Sequence, residues 1–209
     1  MNFKLFPLLA AIALCGAPLI AEATVFQFNA SLNNTNEVGV VSAATATGLA
    51  TLSYNDMGTL ALGDDTYSFT MAVFGLTGGT VPGTAASMFH IHGAATTTES
   101  STVRVSLDAS PFVVFNSGST LMVGGSGVAA LSFGATAVSG TNAGHLPMSF
   151  LSMLQGGLAY VNVHTALNPG GAVRGQLVAV TAVPEPSTYA LLLGGLGLVG
   201  LVAKRRRRG

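Results

Sequence analysis

The chain is poor in cysteine, tryptophan and charged side chains. Cys15 is the only cysteine, tryptophan is absent, and Lys, Arg, Asp and Glu together make up 8% of the 209 residues. Because Cys15 falls in an N-terminal segment that we expect to be removed, the remaining chain can form no disulfide and can use no thiol chemistry. Its stability must therefore come from packing or from a ligand.

Positive charge is almost absent from the central part of the chain. Between Thr24 and Val183 the only basic residues besides histidine are Arg104 and Arg174. Six acidic residues outnumber them and give a formal charge of −4: Glu37, Asp56, Asp64, Asp65, Glu99 and Asp108. The neutral balance of the whole chain thus conceals a mildly acidic domain. The remaining basic residues adjoin apolar runs at the ends, so the sequence gives no support to nucleic-acid binding.

The N-terminus has the three parts of a secretion signal. Lys4 precedes an apolar run that is too short to anchor a chain in a bilayer, and residues 21–23 form the small-x-small pattern that signal peptidase cleaves. Residues 1–23 are therefore predicted to be a signal peptide. Acylation of Cys15, as in a lipoprotein, is disfavoured because Leu14 stands where a small residue would be needed.

The C-terminal end combines a short polar motif, an apolar stretch and a basic cluster. These three parts lie at 183–188, 189–203 and 204–208, and the polar motif contains Pro184, Glu185 and Pro186. This order resembles the PEP-CTERM sorting signal, which implies recognition by an exosortase-type sorting enzyme. The apolar stretch is at the short end for a spanning helix, so we expect transient membrane insertion with the basic cluster on the cytoplasmic side. A permanent C-terminal anchor is the alternative.

Residues 24–182 have the pattern of one all-β domain. Short runs of alternating apolar and polar residues are separated by Gly, Asn or Asp, which favours an antiparallel two-sheet sandwich with Greek-key-like connections. The predicted strands are 25–32, 48–54, 66–74, 87–92, 103–107, 112–115, 127–133, 158–164 and 173–180. Residues 94–102 and the glycine-rich 124–127 are assigned to loops.

One segment of the domain has helical rather than strand periodicity. In residues 145–157 the apolar side chains recur at the spacing of one helix face, with Pro147 in the first turn and Gly156 at the stop. The sequence therefore predicts one short helix that caps the sandwich.

Two motifs in the domain are distinctive. Residues 88–93 read Met-Phe-His-Ile-His-Gly, and residues 159–177 contain Tyr-Val-Asn-Val-His-Thr followed by Gly-Gly-Ala-Val-Arg-Gly-Gln-Leu. In their order, and with the helical stretch between them, they resemble the CHRD domain over residues 26–180. That family has no well-defined molecular activity, so the resemblance implies a type of domain more firmly than a task.

The histidines of these motifs are candidate metal ligands. His90 and His92 stand two residues apart on a predicted strand, so their side chains project from one face, with Cα atoms about 6–7 Å apart. His164 ends a later strand, in the same sheet or the opposite one, and could complete a set suited to copper or zinc. The His-x-His pair is also similar to the copper-site strand of copper–zinc superoxide dismutase. The alternative is that these histidines organise a loop end through hydrogen bonds to Asn162, Thr165 or the backbone.

A turn of sequence Asn-Pro-Gly-Gly at 168–171 predicts a hairpin between the strand of His164 and that of Arg174. Alternation places Tyr160 and Asn162 on the same face as His164. A buried Arg174 would need a carboxylate or several carbonyl partners, and we expect it to hold a loop or the edge of the domain, with ligand binding as the alternative. Four motif residues are interpreted as structural: Tyr160, Asn162, Arg174 and Gln176.

The sequence as a whole predicts a non-enzymatic exported protein at the cell surface or in an exopolysaccharide matrix. Its partners would be signal peptidase, the exosortase-type enzyme, and exopolysaccharide or surface proteins, in a structural or adhesive role. No nucleophile elbow, phosphate-binding glycine loop or opposed pair of carboxylates indicates an enzyme. The alternative function is a copper- or zinc-binding sandwich that uses the histidine cluster, with redox activity as an extension.

Overall fold

The computed structural model describes residues 23–39, 44–78, 84–129, 145, 148–180, 192–197 and 204. The predicted signal peptide lies outside these residues apart from its last position. The predicted sorting segment also lies outside them, apart from residue 204 and residues 192–197, which are helical. None of the helices among the described residues has the length and apolar character needed to cross a membrane.

The described part of the chain folds into two antiparallel sheets, which confirms the predicted all-β sandwich. From β1 to β10, the strands are Val25–Leu32, Thr47–Asn55, Thr66–Phe74, Met88–His92, Val103–Ser106, Val113–Ser117, Thr120–Val128, Tyr160–His164, Val173–Gln176 and Val178–Ala179. The six-stranded sheet has the order β10-β1-β2-β3-β7-β6, and the four-stranded sheet has the order β5-β4-β8-β9. β1, β2 and β3 are consecutive neighbours, and β10 returns to lie beside β1 after the chain has passed through the other sheet, which is the Greek-key order.

The core forms where the inner faces of the two sheets meet. Phe28, Leu52 and Phe69 stand opposite one another in β1, β2 and β3, and each is at most 1% exposed. In the four-stranded sheet, Ile91 and Val161 are opposite each other and fully buried. Since successive side chains in a strand point to opposite faces, the neighbours of these residues project from the outer faces of the sandwich.

The prediction of a strand at 127–133, with 124–127 in a loop, is wrong. The strand is β7 and begins at Thr120, so 124–127 lie inside it, while residues 130–133 fall outside the described part of the chain. The Phe112 ring lies over Gly125, where a Cβ atom would stand 2.6 Å from Phe112 Cδ1. Glycine permits this close approach within a strand; it does not mark a turn here.

The single strand predicted at 173–180 is two strands in different sheets. β9 ends at Gln176 in the four-stranded sheet, whereas β10 begins at Val178 and pairs with β1 in the six-stranded sheet. Between them, Leu177 is fully buried and its N–H donates to the carbonyl of Ala159. Both segments are rich in strand-forming residues, so the residue types do not mark the point where the chain changes sheets.

The predicted capping helix is confirmed in position but is shorter than expected. Helix α1 spans Phe150–Gln155, with Ser149 as its N-cap, and it stops at Gly156 as predicted. It begins beyond Pro147, which therefore lies before the first turn and outside the described residues. The helix buries three side chains in the shared core: Phe150, Met153 and Leu154.

Candidate metal centre

The three motif histidines lie on the outer face of the four-stranded sheet. β4 turns Ile91 into the core, so His90 and His92 project from the other face, and alternation in β8 does the same for His164. Because β4 and β8 are paired neighbours, His164 shares a sheet with the His-x-His pair, one of the two arrangements that the sequence leaves open.

The three imidazoles are close enough to serve one ion. One nitrogen from each of His90, His92 and His164 lies within 4.8 Å of the others. The ring centroids are 5.5 Å apart for His90 and His92, 5.5 Å for His90 and His164, and 6.2 Å for His92 and His164. Nitrogens bound at about 2.0–2.1 Å to one tetrahedral ion stand about 3.4 Å apart. Small side-chain rotations would therefore bring the set into coordination distance.

Hydrogen bonds determine which ring nitrogens are free to coordinate. His92 Nδ1 lies 2.9 Å from the Ser101 carbonyl and His164 Nδ1 lies 3.0 Å from the Pro169 carbonyl. A carbonyl only accepts, so Nδ1 carries the proton in both rings and Nε2 presents a lone pair. Metal-binding histidines commonly donate their second N–H to a carbonyl in this way, which fixes the tautomer and the ring orientation.

Several buried polar atoms at this site have no hydrogen-bond partner. Among the described residues these atoms are Glu37 Oε1, His90 Nδ1, His92 Nε2 and Asn162 Oδ1. All four belong to residues that gather on or above one face of the four-stranded sheet. Glu37 Oε1, His92 Nε2 and Asn162 Oδ1 can each accept a hydrogen bond or bind a cation, and His90 Nδ1 can do so in the tautomer that carries its proton on Nε2.

The histidines are held in the neutral form that coordinates metal. Burial lowers the pKa of His92 to about 4. The pKa of His90 is lowered by burial and then by the neighbouring His164, and the pKa of His164 is lowered by burial. Near neutral pH, therefore, an arriving cation has no proton to displace from any of the three lone pairs.

A stack of three side chains fixes one side of the histidine cluster. The His92 and Tyr160 rings are nearly parallel, with centroids 4.9 Å apart, and the Arg174 guanidinium carbon lies 3.5 Å from the centre of the Tyr160 ring. Arg174 donates to the carbonyls of Glu99 and Thr96 at 2.8 and 2.9 Å. Its two shortest hydrogen bonds thus go to backbone carbonyls of the predicted loop at 94–102, with a longer one of 3.4 Å to Gln176 Oε1, and the guanidinium ties that loop to the sheet.

The remaining motif residues tie three connecting segments to the same face. The Asn162 amide donates to Glu37 Oε2 at 3.3 Å. The Gln176 amide donates to the carbonyls of Ala95 and Gly157 at 2.8 and 2.6 Å. Tyr160, Asn162, Arg174 and Gln176 therefore lie together beside the histidines; strand alternation in the sequence places Tyr160 and Asn162 on the face of His164, and the predicted hairpin places Arg174 on a nearby strand.

Glu37 is the main residue of this site that sequence reasoning misses. It follows a stretch of asparagines whose side chains bond locally and to the Arg174 carbonyl, and it reaches Asn162 across 125 positions of sequence. Burial raises the pKa of Glu37 to about 7, against the opposing effects of Asn162 and Arg174. The only sequence signal is that Glu37 is one of few carboxylates in the domain.

Comparison with known families identifies the domain. The CHRD domain matches residues 28–177, a span that contains every residue of the histidine site. The chain belongs to the CHRD family. The PEP-CTERM protein-sorting motif matches residues 182–208 of this CHRD protein, which implies exosortase-type processing and export to the extracytoplasmic or cell-surface compartment. No curated protein and no solved structure matches the chain.

Proposed function

We propose that this exported CHRD protein binds one copper or zinc ion through His90, His92 and His164. The observation that carries the proposal is the convergence of three neutral imidazoles within 4.8 Å, with buried nitrogens that lack partners. Imidazole suits both metals, and three histidine ligands leave one position of a tetrahedral ion for another group.

The competing explanation is that the histidines only organise loop ends. The bonds from His92 to Ser101 and from His164 to Pro169 fit that explanation. It gives no role to the buried, unpartnered His92 Nε2 and His90 Nδ1, each of which costs about 1–3 kcal/mol if it stays unsatisfied. A bound cation would satisfy these atoms without disturbing either carbonyl bond.

We propose a binding role rather than an enzymatic one. The face around the cluster is occupied by side chains that are already committed to loops: Tyr160, Asn162, Arg174 and Gln176. Such contacts stabilise a site for a small ion. The histidine nitrogens and the unpartnered Asn162 Oδ1 remain available to hold it.

Metal analysis of the purified exported protein tests this function. We expect about one equivalent of copper or zinc per chain in the wild type, and a loss of most of it in His90→Ala/His92→Ala. The matched control is His145→Ala, which removes the histidine that pairs with Glu99 and should leave the metal content unchanged. Metal far below one equivalent in the wild type, or equal metal in all three folded proteins, would rule the proposal out.

A structural or adhesive role in the surface matrix is a second candidate, and one observation favours it. The outer face of the six-stranded sheet carries a row of register neighbours, Leu49, Ala72, Met122 and Phe115. Leu49, Met122 and Phe115 are 65%, 47% and 56% exposed, and they line a shallow groove of about 650 Å³. Exposed apolar patches commonly mark interaction sites.

Binding to purified exopolysaccharide and to isolated cell surfaces tests the adhesive role. Leu49→Ser/Phe115→Ser should weaken retention of the exported protein on at least one of these materials. Val178→Ser, an exposed position on β10 at the far edge of the same sheet, should not. Equal retention of all three proteins would remove this candidate and leave the metal proposal untouched.

A further inference from the structure

Met88 is a neighbour of the histidines in the register of the four-stranded sheet. It begins β4, and in a strand the side chains of residues 88, 90 and 92 share a face. Across the β4–β8 pair, Met88 stands directly opposite His164, where Cβ atoms are about 4.5–5.5 Å apart. The thioether is therefore attached next to two of the three histidines, on the outer face where their rings gather.

Met88 is not explained by packing. Its side chain is 45% exposed, and it is absent from the buried core, which takes the alternate residues Phe89 and Ile91 of the same strand. The histidines beside it are only 8–9% exposed. Met88 thus lies at the solvent-facing rim of a buried nitrogen cluster, where a flexible unbranched side chain can turn over the opening.

We infer that Met88 is a fourth ligand that makes the histidine site selective for copper(I). This inference rests on the proposed metal site and names the metal that the site prefers. A thioether is a soft ligand that favours Cu(I), whereas zinc with three histidines ordinarily completes its shell with water. A thioether beside imidazole nitrogens therefore adds affinity for Cu(I) and little for Zn²⁺.

The other candidate for the fourth position is an oxygen. Asn162 Oδ1 is buried, lacks a partner and lies on the same face, opposite His90. An amide oxygen is a hard ligand and would not distinguish Cu(I) from Zn²⁺ in favour of copper. The two candidates for the fourth position therefore lead to different metal preferences.

Paired affinity measurements on the purified exported protein test the inference. Cu(I) is titrated without oxygen against a chromophoric chelator, and Zn²⁺ against a zinc chelator, for the wild type, Met88→Leu and Met122→Leu. Leucine preserves the approximate volume of methionine, and Met122 is an equally exposed methionine, at 47%, on the other sheet. We expect Met88→Leu to lose roughly tenfold or more in Cu(I) affinity, with Zn²⁺ affinity nearly unchanged and no effect of Met122→Leu.

X-ray absorption of the Cu(I)-loaded protein supplies a direct readout. A sulfur neighbour of copper is expected in the wild type and in Met122→Leu, and only nitrogen or oxygen neighbours in Met88→Leu. Histidine-dependent metal binding with equal Cu(I) affinity in all three proteins would overturn this inference alone. If the wild type takes up neither metal, the proposed metal site fails and this inference fails with it.

Discussion

The two sheets of this sandwich have similar inner faces but very different outer faces. On the four-stranded sheet, outward side chains such as His92, Tyr160 and Arg174 are buried again beneath loops and bonded to them. On the six-stranded sheet, outward side chains such as Thr51 and Thr70 bond to each other and remain exposed. The same alternation thus produces a covered polar site on one side and an open surface on the other.

The difference shows what is needed to turn a sheet face into a site. The polar row on β8 and β9 is covered by loops from distant parts of the chain, near Glu37 and at 94–102. These loops exclude solvent and so keep the histidines neutral, while carbonyl groups orient the rings. Within the described ranges no loop covers the open face, and its apolar side chains Leu49, Met122 and Phe115 are exposed.

Removing the guanidinium of Arg174 from the covered face should have the largest effect on the free energy of unfolding. Arg174→Ala leaves the carbonyls of Glu99 and Thr96 without their donor and opens a cavity over Tyr160. We expect the free energy of unfolding to fall by about 3–5 kcal/mol. The matched change on the open face, Thr51→Ala, should cost about 0.5 kcal/mol or less. Urea denaturation measures both, and similar values for the two variants would contradict the contrast between the faces.

Metal binding at the covered face should produce the second largest change in the free energy of unfolding. At a free metal concentration one hundred times the dissociation constant, an ion bound only to the folded state adds about 2.7 kcal/mol to the free energy of unfolding. Cu(I) or Zn²⁺ should therefore raise the melting temperature of the wild type and of Thr70→Ala, but not that of His164→Gln. An equal rise in His164→Gln would mean that the ion binds elsewhere.

Glu37 and the histidines should make opposite contributions to the pH dependence of the metal-free protein. The pKa of Glu37 is raised from 4.5 to about 7, so the folded state retains a proton that the unfolded chain loses, and stability falls as pH rises through that window. The pKa of His92 is lowered from 6.5 to about 4, so its contribution to stability is instead lost as pH falls from 6.5 to 4.

The Glu37→Gln variant separates these contributions. The difference in free energy of unfolding between this variant and the wild type should be more favourable to the variant at pH 8 than at pH 4. We expect a change of about 1–2 kcal/mol, after allowing for solvent screening of a partly exposed group. Glu99→Gln should show the opposite sign, because hydrogen bonds from Thr96 and His145 lower the pKa of Glu99. Denaturation at both pH values measures the difference, and a Glu37→Gln effect that is independent of pH would contradict the account.

The smallest effect on stability is expected on the open face. Phe115 is 56% exposed on the edge strand β6, so Phe115→Ser should change the free energy of unfolding by no more than about 0.5 kcal/mol. It should also leave metal content unchanged. Loss of bound metal in this variant would show that the two faces are coupled.

Much of the fold follows from local sequence pattern. β1 and β3 are predicted to the residue, because alternation and turn residues define them clearly. β7 is misplaced because its glycines look like turn residues, although Gly125 is needed for the approach of Phe112. The break between β9 and β10 is missed because it depends on which sheet edge is free, a property of the whole sandwich.

In the site, too, some features follow from local sequence pattern and others do not. The spacing of His90 and His92, and of Tyr160, Asn162 and His164, predicts shared faces because strand period alone sets them. The covering groups follow no local rule: Arg174 reaches Thr96 across 78 positions and Glu37 reaches Asn162 across 125. Such contacts depend on how distant loops fold over the sheet, which a single sequence does not reveal.

Binding of one metal ion by His90, His92 and His164 together can be followed at the imidazole nitrogens themselves. The chain has four histidines, so nitrogen-detected NMR of the exported protein can follow each ring while Zn²⁺ or Cu(I) is added. We expect the ring nitrogen resonances of these three histidines to shift together and saturate at one equivalent, while those of His145 stay in place. If the ring nitrogen resonances of these three histidines do not shift after a full equivalent of either metal, the three residues do not bind a metal ion together.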